Sequence, residues 1–316
     1  MKHAQLALLI ILLLVLAGCD YLPGKKDHLI DPAKFHEGTS ALSMSAAARA
    51  PPSIVKENSE FKFYAILKNL GVAPIENGLI KLVVLDKDHI EGRPPLYYSN
   101  INLKGRSLEW PDGETDMRYF SLTAKEVKNE MSSAQTELML VACYDYYTEL
   151  LTDVCIDTDI YGVNSQSAQK ACSYNSARLG SKGQGGPVEF VRLESDFIST
   201  ETGVIPEFKL YLSNMGKGGV YKAGEHMKIC GSEPIEDGKL INNLVSVEAW
   251  LSNQQMDCTV PGGKTELDIS NPENYVVCKA SSEVPKSTIA YSSPLKVIAR
   301  YGYTNSFSKP VLIEAT

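Results

Sequence analysis

FYAILKNLG at 63–71 and FKLYLSNMG at 208–216 carry the same residues at matched places: Phe63 with Phe208, Leu67 with Leu212, Asn69 with Asn214 and Gly71 with Gly216, an offset of 145. A second match lies downstream. LMLVACYDYYTELLTDVCI (138–156) aligns with LKVIARYGYTNSFSKPVLI (295–313), setting Ala142 on Ala299, Tyr144 on Tyr301, Tyr146 on Tyr303 and Val154 on Val311 at an offset of 157. The chain therefore holds two diverged copies of one unit. About twelve extra residues enter the second copy between Gly216 and Leu295, the region with Cys230, Cys258 and Cys278.

Each copy reads as β. Phe61, Phe63, Ala65 and Leu67 alternate with more polar neighbours; Phe208, Leu210 and Leu212 do the same, as do Val245, Val247, Ala249 and Leu251. Leu295, Val297, Ala299, Tyr301 and Tyr303 form a five-member stripe of period two. Such stripes suit antiparallel sheets with one face on a core. Gly, Asn and Pro mark the turns (NLG, ENG, PDGE, NMGKGG, PGGK). The one stretch expected to form a short helix is 121–133. Units of this length with about seven short strands predict an all-β chain of two tandem immunoglobulin-like antiparallel β-sandwiches, at 38–157 and 187–316, joined by a Ser-, Gln- and Gly-rich connector at 158–186.

The pattern of strand, Asn-x-Gly, small residues and strand, carried by 61–71 with Ile75 and by 208–216 with Val220, resembles the CARDB-type immunoglobulin-like modules of archaeal and bacterial surface proteins. The resemblance implies a sandwich and a surface setting, and no activity, because the fold hosts many.

The first residues point to the same setting. Lys2 and His3 precede an apolar run from Ala4 to Gly18, a length that suits a signal peptide and is short for a membrane span. Leu16-Ala17-Gly18-Cys19 resembles the lipobox of prokaryotic lipoproteins. In that family the cysteine receives a diacylglyceryl group and becomes residue one. Together with GQGGPV (183–188), the motif also resembles archaeal surface lipoproteins. The resemblance implies cleavage after residue 18, lipidation of Cys19 and a flexible tether over 19–37, which reaches roughly 20–25 Å. Two acyl chains anchor stably where one does not. The expected location is the extracytoplasmic face of the cell membrane.

The 316 residues carry a net charge of −7, which disfavours a nucleic-acid partner. Six cysteines remain beside Cys19: Cys143, Cys155, Cys172, Cys230, Cys258 and Cys278, with no CxxC among them. In an exported chain they read as three disulfides. A hairpin turn within YTEL (147–150) would set Cys143 opposite Cys155; the alternative is Cys155 with Cys172. Cys258 with Cys278 and Cys172 with Cys230 complete the first scheme.

No sequence motif supports catalysis. PGGKT (261–265) lacks the first glycine of a phosphate-binding loop, since Cys258 stands there. DKDH (86–89) and DVCIDTD (153–159) gather carboxylates without the spacing of a calcium loop and read as loop acids. The five histidines show no HExxH spacing. No cofactor, metal site or catalytic residue is expected. Tyr144, Tyr146, Tyr301 and Tyr303 fit a core stripe, whereas Tyr97, Tyr98 and Trp110 are candidates for an exposed binding patch. The expected role is non-catalytic: adhesion, envelope assembly or binding of a protein partner. The alternatives are an accessory glycan- or solute-binding lipoprotein and a hydrolase without a recognisable motif.

Overall fold

Runs that alternate large apolar with polar side chains cannot bury one face as helices, and in the structure they are strands. The computed structural model describes residues 32–127, 132–160, 172–173, 177–179, 182–231, 242–286 and 290–316. The stretch expected to be a signal segment, the lipobox-like motif with Cys19, the expected tether as far as residue 31 and much of the expected connector lie outside these residues. The first copy comprises β1 (Leu42–Ala46), β2 (Ile54–Lys56), β3 (Glu60–Asn69), β4 (Ile75–Val84), β5 (Ile90–Arg93), β6 (Tyr97–Leu103), β7 (Thr115–Ala124) and β8 (Ser133–Ile156). After β9 (Ala177–Arg178), the second comprises β10 (Val188–Ser199), β11 (Gly203–Asn214), β12 (Gly219–Tyr221), the short helix α1 (His226–Cys230), β13 (Leu244–Leu251), β14 (Gln254–Thr259), β15 (Leu267–Asp268), β16 (Tyr275–Ala280), β17 (Val284–Pro285) and β18 (Tyr291–Glu314). The fold is all-β, and every named strand pair except β2 with β18 is antiparallel.

One sheet runs β1-β3-β7-β5, and a long path runs β6-β4-β8-β18-β13-β14-β16-β11-β10-β9. Between the layers of the first copy, Phe63, Leu67, Phe120 and Leu122 share a core with Leu82, Leu138 and Leu140. The helix expected over 121–133 is not found in its described residues. Residues 121–124 end β7, where Phe120, Leu122 and Ala124 are buried in alternation; Phe120 and Leu122 pair with β3 and Ala124 with β5; residues 128–131 lie outside the described set. The last part of the expected tether is docked: Pro32–His36 form a 3-10 turn, Phe35 is buried, and the Arg106 guanidinium donates to the carbonyls of Phe35 (2.7 Å) and Glu37.

The two copies are joined through β8 and β18, which pair along all 24 residues, from Tyr291 opposite Ile156 to Glu314 opposite Ser133. The hairpin expected at YTEL does not form. That stretch has no Gly, Pro or Asn to turn on, and burial alternates straight through it (Tyr146, Thr148 and Leu150 inward). At the centre of the seam Asp145 faces Gly302, its own repeat equivalent 157 residues on. Interchanging the copies turns the pair Tyr144–Tyr303 into Tyr301–Tyr146, so a pseudo-twofold axis passes through this rung.

Each long strand thus crosses into the other copy. The far end of β18 meets the first copy: Asn305 Nδ2 donates to Leu42 O (2.8 Å), β2 pairs parallel to 312–314, and Lys56 bridges to Glu314 (2.8 Å). Residues 32–316 accordingly form one compact unit, not two beads on a connector.

The extra residues of the second copy can be placed by register. Leu79 and Ser246 occupy matched rungs beside Cys143 and Arg300, so the offset rises from 145 at Gly216 to 167 at β13. It falls back to 158 at β16, where Cys278 pairs with Phe208 as Phe120 pairs with Phe63. The insertion between β12 and β13 carries α1 and lies over the pseudo-axis: Gly224 N donates to Asp145 Oδ1 (2.9 Å), and Tyr221 packs on Gly302. A Cβ at Gly302 would sit 1.9 Å from Tyr221 Cε2, which explains the glycine in a strand interior.

All six described cysteines are bridged: Cys143–Cys230, Cys155–Cys172 and Cys258–Cys278. The Cys143–Cys155 and Cys172–Cys230 pairings fail for one reason. With no turn in β8, Cys143 and Cys155 stand roughly 40 Å apart along an extended strand. Cys155 instead pins the connector, as in the alternative reading, and Cys143 holds α1. Cys258 and Cys278 are direct cross-strand partners on β14 and β16.

Candidate functional site

The residues that carry the repeat are structural. Asn69 closes its turn by accepting from Gly71 N (3.0 Å) and donating to Ala73 O (2.8 Å); Asn214 does the same with Gly216 N (3.1 Å) and Gly218 O (2.8 Å). A tyrosine hydroxyl from the seam seals each turn. Tyr303 accepts from Gly218 N (2.7 Å), and Tyr146 bonds the equivalent Ala73 main chain. The other two tyrosines hold the first strands: Leu42 N donates to Tyr144 Oη (3.2 Å) and Val188 N to Tyr301 Oη (3.3 Å). All four are buried, and burial pushes the hydroxyls of Tyr144, Tyr146 and Tyr301 far above the ordinary 10. They are neutral posts, not acid–base groups.

The outer sheet faces differ between the copies. In the first, Tyr64 pairs with Tyr119 and Ile66 with Met117 on the solvent side of β3 and β7. Met117 is 55 % exposed and Tyr119 49 %. Tyr64 and Tyr119 lie ring to ring at 5.8 Å, with Lys62 Nζ 4.7 Å from the Tyr119 ring centre. In the second copy the rung equivalent to Ile66–Met117 is Tyr211–Tyr275, with rings at 5.4 Å. There Arg192 lies flat on Tyr211 at 3.6 Å, held by Glu194 and Glu273 (3.4 Å each), while Tyr211 donates to Glu194 (3.2 Å). Tyr211 is left 6 % exposed. Arg192 stands opposite Tyr211 as Ser45 stands opposite Ile66. Serine is too short to cover anything. The first copy therefore presents an open aromatic and apolar face whose counterpart is capped.

Of the residues singled out from sequence, Tyr97 is 52 % exposed on β6. Tyr98 points the other way, closing the sandwich edge against Phe120 (5.3 Å) and donating to Tyr119 O (2.5 Å). Trp110 lies in the loop after β6 with Lys104 over its ring at 5.5 Å. No ring contact among the described residues joins Trp110 to Tyr97 or Tyr98. Tyr64, Ile66, Met117 and Tyr119 were missed because 115–124 carried no strand assignment. Their signal is apolar residues at the outward positions of two strands that also carry full inward stripes.

Asp86 closes a turn, accepting from Asp88 N (3.0 Å) and contacting His89 Nδ1 (2.6 Å), and the His89 bond holds its carboxyl below the usual range. Asp157 and Asp159 are buried, and Asp157 Oδ1 accepts from Asp159 N (3.0 Å). Among the described residues no three His, Cys, Asp or Glu side chains are placed to hold a metal. PGGKT is a turn in which Gly262 and Gly263 take positive φ (87° and 73°).

The chain matches no protein-family model and no curated protein. Among solved structures it resembles the secreted serine protease VesC from Vibrio cholerae at 10 % identity and a TM-score of 0.21, over 88 % of this chain and about half (53 %) of that one. It resembles the sporulation control protein Spo0M from Bacillus subtilis at 12 % identity and a TM-score of 0.15, over 55 % of this chain and 80 % of that one. The CupB6 tip adhesin from Pseudomonas aeruginosa gives 7 % identity and a TM-score of 0.15, over 88 % and 97 %. Scores this low assign neither a fold family nor an activity.

Proposed function

We propose that this chain is a non-catalytic, lipid-anchored protein on the extracytoplasmic face of the membrane, which binds a protein partner through the outer face of its first copy. The lipobox at Cys19 and the three disulfides support the location, since such bridges persist in oxidising compartments. The exposed Tyr64–Tyr119 and Ile66–Met117 rungs carry the binding reading. Exposed aromatic and methionine side chains on a flat face, rimmed by Lys62 and Lys68, fit the apolar centre and charged border of a protein interface. An acidic rim on the partner would complement the lysines. The capped counterpart serves as an internal control.

The test is site-specific photocrosslinking in intact cells, with the photoreactive residue at 119 and, for comparison, at 277, the matched outward position of the second copy. A discrete adduct from 119 alone, abolished by Met117→Asp, supports the reading. Equal adducts from both positions, or none from either, refute it. In the same cells Cys19→Ser should leave unprocessed precursor or release the chain from membranes; unchanged fractionation and mass would remove the lipid anchor.

A further inference from the structure

The pseudo-axis calls for two equivalent clefts, one beside each Asn-x-Gly turn, and the chain fills one of them. In the filled cleft Gly185, from the connector, lies against Gly71 and Val72. Its carbonyl accepts from Val72 N (3.0 Å) and from the Tyr146 hydroxyl (3.4 Å). Gly186 follows against Thr148, where a Cβ would lie 2.5 Å from Oγ1.

The repeat equivalent of Gly185 is Thr39, because Ala41 accepts from Leu70 N as Pro187 accepts from Met215 N (2.7 Å each). Interchange of the copies would lay the chain around Thr39 against Gly216 and Lys217. Instead that segment turns back: Gly38 N donates to Lys182 O (2.6 Å), and Gly38 O accepts from Gly185 N (2.9 Å). Both leading segments bond at the first copy's turn, and no described residue fills the equivalent place beside the second.

The opening is a cavity of about 370 Å³ bounded by Ser40, Lys217, Tyr303, Asn305 and Ser306, within the range of real binding sites. It repeats the main-chain donor that the filled cleft uses. Lys217 N, the counterpart of Val72 N, has no acceptor among the described residues. Asn305 occupies the position of Thr148. Its Nδ2 is engaged by Leu42 O (2.8 Å), while its Oδ1 is buried with no partner among the described residues. Lys217, with its unused main-chain donor, and Asn305 both line the cavity.

We infer that this cleft binds an extended peptide segment of a partner protein, with glycine where Gly185 stands in the filled copy. The peptide carbonyl accepts from Lys217 N, as Gly185 O accepts from Val72 N in the filled copy. Glycine is specified because Gly185 takes φ +72° in the filled copy, a conformation that side-chain-bearing residues rarely adopt. This site is separate from the exposed β3–β7 face and does not depend on it.

The experiment uses the ¹⁵N-labelled protein with its disulfides intact and the capped peptide Gly-Gln-Gly-Gly-Pro-Val, a copy of 183–188. Saturable shifts are expected at the main-chain amides of Lys217 and Gly218 and at the Asn305 side-chain amide. Ser306→Trp, an exposed substitution that fills the cleft, should weaken binding at least about tenfold, or about 1.4 kcal/mol. Lys217→Ala should stay within about twofold, since the donor is main chain. Three results overturn the inference: no shifts at these groups up to millimolar peptide, shifts unaffected by Ser306→Trp, or the same shifts from acetate alone. Equal binding by a peptide with valine at the third position removes the glycine requirement.

Discussion

Asn69→Ala and Asn214→Ala delete the same side chain from equivalent turns, yet the structure assigns them unequal costs. Asn69 is fully buried and makes three bonds: it donates to Ala73 O (2.8 Å) and Leu103 O (3.2 Å) and accepts from Gly71 N (3.0 Å). Each bond is worth about 1 kcal/mol net, and a buried partner left unsatisfied costs about 1–3 kcal/mol more. Water cannot reach these groups, so Asn69→Ala should lose about 3–5 kcal/mol. Asn214 makes two comparable bonds, to Gly218 O (2.8 Å) and from Gly216 N (3.1 Å), and accepts a longer third from Tyr303 Oη (3.5 Å). It is half-buried and its turn borders the open cleft. Solvent can replace part of the loss, and the expected cost is about 1–2 kcal/mol. Urea unfolding under non-reducing conditions, followed by far-ultraviolet circular dichroism, measures both. The slope should match the parent protein, so that the midpoint reports stability. Equal losses, a larger loss at Asn214, or less than 1 kcal/mol at Asn69 would refute the account of the turns.

Two further outcomes follow from the seam and the bridges. The Glu57 carboxyl is held below its ordinary 4.5, first by Thr316 N and then by Val127 N. A depressed pKa gives stability that is present above pH 4.5 and lost as pH falls through the lower folded value. Glu57→Gln should therefore flatten the acid limb of the stability curve and leave the limb above pH 6 parallel to the parent; an unchanged acid limb counts against the contact. Chain-entropy arguments give about 4–5 kcal/mol for closing the 87-residue Cys143–Cys230 span and about 3 kcal/mol for the 20-residue Cys258–Cys278 span. Serine pairs at the first site should lower the urea midpoint more than at the second, and the reverse order would contradict the bridge assignment.

The sequence reading went furthest where a signal is local or duplicated. Period-two stripes marked β3, β11, β13 and β18 because alternation is visible within a few residues. The two Asn-x-Gly turns were visible because each closes on groups two to four residues away. It failed where the deciding partner is distant. Nothing within YTEL says that β8 runs on, since its partner lies about 150 residues further along the chain; the false hairpin then produced the false Cys143–Cys155 pair. Thr115–Ala124 was not read as a strand, because β7 is recognised by its pairing with β3. With it went Met117 and Tyr119, half of the open face. Tyr98 was taken as exposed because a Tyr-Tyr doublet does not reveal which ring faces in.

The insertion on the pseudo-axis has a consequence for how such a molecule can be built. A symmetric pair of identical chains meeting along their last strands would make every contact twice. Any segment lying on the axis would then collide with its own mate. There is room over Asp145 and Gly302 for one helix, and here a disulfide to Cys143 holds it. Only a single chain with two unlike copies can place one helix there. The fused arrangement thereby gains what a twofold dimer is denied: a front and a back, with one sheet face capped by Arg192 and one left open, and one turn cleft filled by Gly185 and one that no described residue fills.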